Sequence, residues 1–228
     1  TQFFRGRNAD GTWTLPFDPF KTTGAAARSY SEGNAWQYLW LAPQDVKGLI
    51  ATLGGEKKFL SRLDSFFIAE PAVKDTAVLS DITGTIGQYA HGNEPGHHII
   101  YLYASAGEPR RTAEKARFIM KNMSLDNPDG VIGNEDCGHM AAGLGWSAGV
   151  VYPLFPASGE YVLGSPLFDR VTIHLPGKKD FIIQTVNNGP ENIYIRSMEL
   201  NGKKYDKRFI RHEDIMRGGL LEIVLGGR

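Results

Sequence analysis

Twelve residues from Tyr89 to Ile100, YAHGNEPGHHII, set three histidines, a glutamate and an asparagine around a Gly and a Pro-Gly step. Imidazoles and a carboxylate at that density can bind a cation or move protons, and neither a core nor a solvated surface asks for so many. Two further segments have a similar make-up: SEGNAWQY at Ser31–Tyr38 and GNEDCGHM at Gly133–Met140. Each sets carboxylates beside Gly and Asn where a loop meets an expected helix, and loops carried by a rigid scaffold are where reactive groups gather. The three segments read as parts of one enzyme site.

Each segment also has a plainer account. Glu32 stands just ahead of an aromatic helix holding Trp36, Tyr38 and Trp40. It could simply be a first-turn carboxylate favoured by the helix dipole. Alternatively, Trp36 and Trp40, four apart on one face, offer rings on which sugars stack, and a neighbouring carboxyl would be partly desolvated, as a proton donor requires. In the second segment, His91, His97 and His98 with Glu94 would suit zinc. Glu94, the Asn93 carbonyl and backbone carbonyls released by Gly and Pro would suit calcium, a hard ion wanting about six to eight oxygens. The HExxH zinc signature is not met, because Glu94 does not follow a histidine directly. The plainer account has Pro95 opening a helix, Asn93 or Glu94 capping it and the histidines packed inside. In the third segment, Glu135 and Asp136 lie beside glycines that would let a ligand approach, or else Asn134 or Asp136 caps the helix starting near His139. Cys137 is the only cysteine, so no internal disulfide can form. His139 is a nearby partner for a nucleophilic thiol, although a lone cysteine is more often a small inert hydrophobe.

Lys plus Arg and Asp plus Glu both number 25, giving a formal net charge of zero over 228 residues. This argues against nucleic acid or an anionic membrane as the main partner, since both favour a basic excess. No apolar run approaches the roughly 20 residues of a membrane span. The opening stretch TQFFRGRNADGTW has no apolar signal-peptide core.

The elements that must position the three segments change character near Pro153. Before it, helical patterns begin at Trp36, Asp45, Glu56, His97 and Arg110. In EKKFLSRLDSFF, Phe59, Leu60, Leu63, Phe66 and Phe67 form one stripe with the 3.6-residue period. Pro109 suits a first helical turn, and Gly54–Gly55 and Gly107 read as helix stops. Paired helices with short connections suit stacked helical hairpins. After Pro153, RVTIHLP, DFIIQTVN, NIYIRSMELNGKKY and LLEIVLGG read as strands. Asn201–Gly202 is a strong signal for a two-residue type I′ hairpin. The expectation is an α+β chain, helical over 1–153 and an antiparallel β unit over 154–228.

In order along the chain, Glu32–Tyr38, His91–His98, Gly133–Met140, Tyr152–Pro153 and Ser158–Pro166 resemble the signature stretches EGNAWQY, HGNEPxHH, GNEDxGxM, YP and SGxYxxGSP of glycoside hydrolase family 92. That family comprises calcium-dependent, exo-acting α-mannosidases found mainly in bacteria. The resemblance spans almost the whole chain. It implies a helical (α/α)₆ toroid with β domains packed against it, of which residues 1–153 would be a part. Six helical hairpins do not fit in that length, so an N-terminal β-sandwich and the first barrel helices would lie elsewhere in the enzyme, and the 228-residue chain alone would be inactive. It implies Glu32 as general acid, Asp136 as general base with Glu135 or Asn134 orienting the water, and Glu94 with oxygens around Asn93 and His97 holding calcium. Trp36, Asn34, Gln37, His91 and Asn134 would meet the substrate, a mannose-containing glycan such as an N-glycan or mannan with terminal α-1,2-like mannose. A periplasmic or extracellular location is also implied.

The chain departs from the family at His139, Ala141, Ala142, Gly143 and Leu144, where Gln and then Ser-Ala-Trp-Tyr are usual. The loss of two aromatics bears on linkage preference rather than on acid or base. Gln44 in Pro43-Gln44-Asp45 replaces a usual histidine. Two other classes stand against the hydrolase reading. One is a non-catalytic sugar-binding or scaffold module, which would not need both Glu32 and Asp136. The other is a phosphorylase on the same toroid, which would want a phosphate cradle near Glu32 that the sequence does not offer.

Overall fold

The structure, a computed structural model, describes residues 2–22, 29–70 and 82–228. Along the chain run α1 (Ala35–Tyr38), α2 (Val46–Thr52), α3 (Glu56–Phe66), the strands β1 (Thr85–Ile86) and β2 (Tyr89–Ala90), and a 3₁₀ segment Glu94–Tyr101. Then come α4 (Leu102–Ser105), α5 (Pro109–Asn122) and α6 (His139–Ala148). The last third holds β3 (Val151–Phe155), β4 (Glu160–Leu163), β5 (Arg170–Leu175), β6 (Lys179–Val186), β7 (Tyr194–Leu200), β8 (Lys203–Lys204), β9 (Phe209–Arg211), α7 (His212–Arg217) and β10 (Gly219–Gly226). No helix among the described residues is long and apolar enough to cross a membrane.

Two compact units emerge: Thr1–Ile99 with Asn127–Met140, and Ile100–Asp126 with Ala141–Arg228. This partition differs from a cut at Pro153, because α4, α5 and most of α6 associate with the sheets.

The first unit is built on aromatic packing. The α3 stripe buries Phe59, Leu63 and Phe66, as its period predicts. Trp40 meets Phe59 edge-on at 5.5 Å and Phe66 at 5.8 Å, and Tyr89 from the β1–β2 hairpin packs on Phe67 at 5.4 Å. Such pairs add about 0.5–1.5 kcal/mol beyond their buried area. Gly54 and Gly55 take φ values of +88° and +100° between α2 and α3, which explains the double glycine at that stop.

In the second unit a five-stranded sheet, ordered β5-β6-β10-β7-β8, accompanies a three-stranded one, β3-β4-β9. Phe181 and Ile183 on β6, and Leu221, Ile223 and Leu225 on β10, alternate into a shared core with Val150, Leu163 and Ile210. The pairing is antiparallel except between β6 and β10, which run parallel. The type I′ turn forms as expected: Asn201 and Gly202 have φ +52° and +73° between Leu200 and Lys203.

The helix expected from His97 is instead 3₁₀ up to Tyr101 and α-helical only over Leu102–Ser105. His97 to Ala104 are all buried, so the segment has no solvent face for a 3.6-residue stripe to mark. Within the second unit, the fully buried Thr112 on α5 accepts from the Ala104 N–H (3.0 Å) and donates to the Ile100 carbonyl (2.8 Å). Thr112→Val keeps the shape and removes both bonds, so urea unfolding should show a loss of about 1–3 kcal/mol, with Thr112→Ser losing less. A valine variant as stable as the parent would mean that these bonds contribute nothing net.

Candidate active site

The polar residues of all three segments lie in the first unit. Tyr38 closes the first of them into a loop: its hydroxyl accepts from the Ser31 N–H (2.8 Å) and donates to the Ser31 carbonyl (2.9 Å). Glu32 sits on this loop, exposed, with φ +53°. The loop enters α1 through a capping box. The Asn34 side chain accepts from the amides of Trp36 (3.0 Å) and Gln37 (3.3 Å), and Gln37 Oε1 accepts from the Asn34 amide (2.8 Å). Asn34 Nδ2 then donates to Gln88 Oε1, and Gln37 Nε2 to the Gln88 carbonyl. Asn34 and Gln37, expected on the substrate, therefore commit these atoms to holding the Glu32 loop. Gln88 is a neighbour of the candidate site that sequence reasoning missed, and the Tyr38–Ser31 loop closure was not legible either, because these bonds join residues distant in the chain or end on main-chain atoms.

Trp36 corrects the sugar-stacking expectation. It is buried, with Phe3 edge-on at 5.0 Å, Phe20 at 5.9 Å and the Arg62 guanidinium 4.5 Å from its ring. Trp40, on the same face, is fully buried. Four-residue spacing marks a core-facing stripe here, and neither ring is open to a sugar.

The second and third segments meet backbone to backbone at Gly92 and Gly133. A Cβ on Gly133, whose φ is +96°, would lie 2.5 Å from the Gly92 carbonyl oxygen. Beyond this contact, Asn93 Nδ2 donates to the Glu32 carbonyl (2.9 Å), and Glu94 Oε1 accepts from the Asp136 amide (2.9 Å). The structure thus brings Glu32, Asn93, Glu94 and Asp136 into one connected set. Glu94 is buried while Asp136 is exposed. Glu135 and Cys137, flanking Asp136, have φ +55° and +52°. Left-handed backbone at non-glycine residues costs about 1–3 kcal/mol each and collects at functional sites. An open cavity of about 140 Å³ lies beside Glu32, lined by Tyr38, Leu41, Asn93, Pro95 and Ile99 among others.

The histidines pack as a group. His91 and His97 rings stack with centroids 4.5 Å apart, and His139 meets His97 edge-on at 5.5 Å. The Tyr89 hydroxyl and His91 Nδ1 share a hydrogen bond (2.9 Å), and His97 Nε2 donates to the His91 carbonyl (2.8 Å). That bond leaves His97 Nδ1 unprotonated, buried and without a partner among the described residues.

Among the described residues, no three His, Cys, Asp or Glu side chains converge to hold a metal. Calcium needs about six to eight oxygens. Here Glu94 offers a carboxylate already accepting one amide, Asn93 offers one amide oxygen, and His97 offers a ring nitrogen rather than oxygen. These residues alone do not make a calcium shell.

With this geometry in hand, the comparisons define the class. The chain belongs to glycosyl hydrolase family 92: the family's catalytic-domain model matches residues 1–227. It is 36% identical, with a TM-score of 0.91, to a family 92 α-mannosidase from Bacteroides thetaiotaomicron solved with mannoimidazole, covering 99% of this chain and 30% of that one. An inverting family 92 mannosidase from the same bacterium is 33% identical with a TM-score of 0.84, covering 99% of this chain and 31% of that one. A protein of Arthroderma benhamiae named an uncharacterized secreted glycosidase is 32% identical over 98% of this chain and 28% of its own length. The chain thus spans about a third or less of the relatives it matches.

Burial, reinforced by the neighbouring His97 ring, pulls His91 down from the usual 6.5 to about 3. His97 and His98 are lowered as well, mainly by burial. The folded state therefore binds fewer protons than the unfolded chain once pH falls below 6.5, so stability rises with pH up to that point. Between pH 3 and 6.5, His91 alone should give a slope of about 1.4 kcal/mol per pH unit. Imidazole NMR should find His91 neutral and Tyr89-bonded across the neutral range; a His91 titrating at an ordinary 6.5 would contradict the packing.

Proposed function

We propose that the enzyme to which this chain contributes hydrolyses terminal α-linked mannose with inversion at the anomeric carbon. The observation that carries the reading is the convergence of the three segments, with Asn93 on the Glu32 main chain and Glu94 on the Asp136 amide beside an open cavity. The Glu32 carboxylic acid gives its proton to the glycosidic oxygen as the bond to the anomeric carbon breaks. The Asp136 carboxylate takes a proton from a water that attacks the opposite face, with Glu135 or Asn134 orienting that water. In inverting enzymes the two carboxyls stand about 6.5–9.5 Å apart, which leaves room for the water. Membership of family 92, and a neighbour described as an inverting mannosidase, support the same outcome.

The substrate in this reading is a glycan ending in α-1,2-like mannose, on N-glycans or mannans, met by His91 and Asn134 but not by the buried Trp36. Among the described residues, no lysine or arginine lines the cavity beside Glu32, which disfavours a phosphorylase. The (α/α)₆ toroid, the division at Pro153 and a secreted location belong to the same proposal, the last supported by the relative named as a secreted glycosidase. The rest of the enzyme would close the other side of the pocket. Calcium enters only to this extent: Glu94 and Asn93 are the oxygens this chain could lend, and the remaining ligands would come from elsewhere in the enzyme or from water. No catalytic step is assigned to the ion.

Proton NMR of the first-formed sugar tests the reaction. β-Mannose should appear first and then mutarotate; α-mannose as the initial product would rule out the single-displacement mechanism.

The two carboxylates should separate by leaving group. In the intact enzyme, Glu32→Gln should cost about 10²–10⁴-fold on natural glycans and far less on aryl mannosides with activated leaving groups. Asp136→Asn should be crippling on both, because water must be activated whichever group departs. Similar losses for Glu32→Gln on the two substrate types would remove it from the acid role.

A further inference from the structure

Asn93 and Glu94 are neighbours in sequence, yet each reaches a different catalytic segment, and each does so through the backbone of its target. The Asn93 amide group donates to the Glu32 carbonyl, and the Glu94 carboxylate accepts from the Asp136 amide, both at 2.9 Å. The targets are strained: Glu32, Glu135 and Cys137 all hold left-handed φ angles. The braces are not. Asn93 and Glu94 open the 3₁₀ segment, where the Gly96 amide bonds back to the Asn93 carbonyl (3.1 Å), and Glu94 is buried. A buried carboxyl oxygen accepting a backbone amide makes a short-range tether that is costly to leave unmade.

We propose that Asn93–Glu94 is a positioning pair, one turn that fixes the main chain of the candidate acid with its first side chain and that of the candidate base with its second. The spacing between Glu32 and Asp136 is then set by a dipeptide that need not touch the sugar. This inference rests on the acid and base roles proposed above, but the bracing can be measured without turnover.

The rival role is that both residues serve only as cation ligands, and the atoms used distinguish the two. The brace needs the Asn93 N–H donor, whereas a ligand would use its oxygen. Asn93→Asp removes the donor while keeping an oxygen and adding charge. The brace needs any acceptor at Glu94, whereas a cation prefers the charge. Glu94→Gln keeps the acceptor and removes the charge. Positioning therefore predicts damage from Asn93→Asp and tolerance of Glu94→Gln at the Asp136 loop; ligation predicts the reverse.

The experiment is hydrogen–deuterium exchange with mass spectrometry on the intact enzyme, following peptides over 31–38 and 133–140, with Glu56–Phe66 as the control for global fold. Glu94→Ala should speed exchange over 133–140 by about fivefold or more and leave 31–38 near the parent, whereas Glu94→Gln should leave both within about twofold. Asn93→Asp should speed exchange over 31–38 alone. It should also lower kcat on an aryl mannoside by about tenfold or more with KM little changed, while the calcium concentration needed for half-activity does not rise. Parent-like exchange in both Glu94→Ala and Asn93→Asp would overturn the proposal, as would equal loosening by Glu94→Gln and Glu94→Ala. If Glu94→Ala speeds exchange in Glu56–Phe66 too, the near-isosteric Glu94→Gln and Asn93→Asp variants decide. A parent enzyme that releases no mannose would sink the functional reading and leave the exchange arms standing.

Discussion

The close approach of Gly92 to Gly133 is the constraint on which the rest of the site depends. A side chain at Gly133 would push the two backbones apart, since its Cβ would sit 2.5 Å from the Gly92 carbonyl oxygen, and a Cβ on Gly92 would strike Thr83 Oγ1 at 1.9 Å and crowd Gly133 Cα at 3.2 Å. A hydrogen bond between side chains tolerates some slack; a van der Waals contact between main chains does not. With that contact made, the loop bearing Glu135 and Asp136 is delivered to the start of the 3₁₀ segment, and only then can the Glu94 carboxylate reach the Asp136 amide. Glycine is thus demanded twice: by close approach at both positions and by the positive φ of Gly133.

Around this contact, the polar residues divide their work unevenly. Several that look chemical in sequence are used to shape backbone. Asn34 and Gln37 cap α1 and grip Gln88, Asn93 holds the Glu32 carbonyl, and His97 holds the His91 carbonyl. What remains exposed among the polar residues of the three segments is Ser31, Glu32, Asn134, Asp136, Cys137 and His139, with Glu32 and Asp136 the carboxylates. Two candidate carboxylates supported by internally bonded polar groups is the arrangement that preorganisation would require, because loosely held groups would have to be ordered again at every turnover.

The legibility of this arrangement in the sequence follows its range. Patterns that rest on local periodicity came through: the α3 stripe, the Gly54–Gly55 stop and the Asn201–Gly202 turn each follow from one residue type in one backbone state. The three polar segments were visible as compositions, and the resemblance to family 92 gave them an order. Features set by tertiary packing were not legible. Trp36 and Trp40 share a face whether that face looks at solvent or at Phe3, Phe59 and Phe66, and the spacing is identical in both cases. The short strands β3, β4 and β9 carry too few alternations to register, and β3 contains Pro153. The parallel pairing of β6 with β10 depends on a crossover that no local pattern encodes. The bonds from Asn93 and Glu94 were invisible because both end on backbone atoms, which every residue has.

The neutral histidines complete the electrostatic argument. Three imidazoles lie within a few residues of Glu94, and each could in principle carry a positive charge near neutral pH. A cation beside the carboxylates would favour their ionised forms, whereas a general acid must still hold its proton when the substrate arrives. Burial resolves the conflict by keeping His91, His97 and His98 below their usual range. The stacked His91 and His97 rings bond to Tyr89 and to the His91 carbonyl, while the His98 ring lies between the Pro95 and Trp40 carbonyls, whose bonds favour its charged form against the burial that lowers it. Stacking two cationic rings at 4.5 Å would be self-defeating, so the packing of His91 on His97 adds to burial in disfavouring charge on both. The histidine-rich segment packs its His91 and His97 rings on each other, and Asn93 and Glu94 within it reach the main chains of the candidate acid and base.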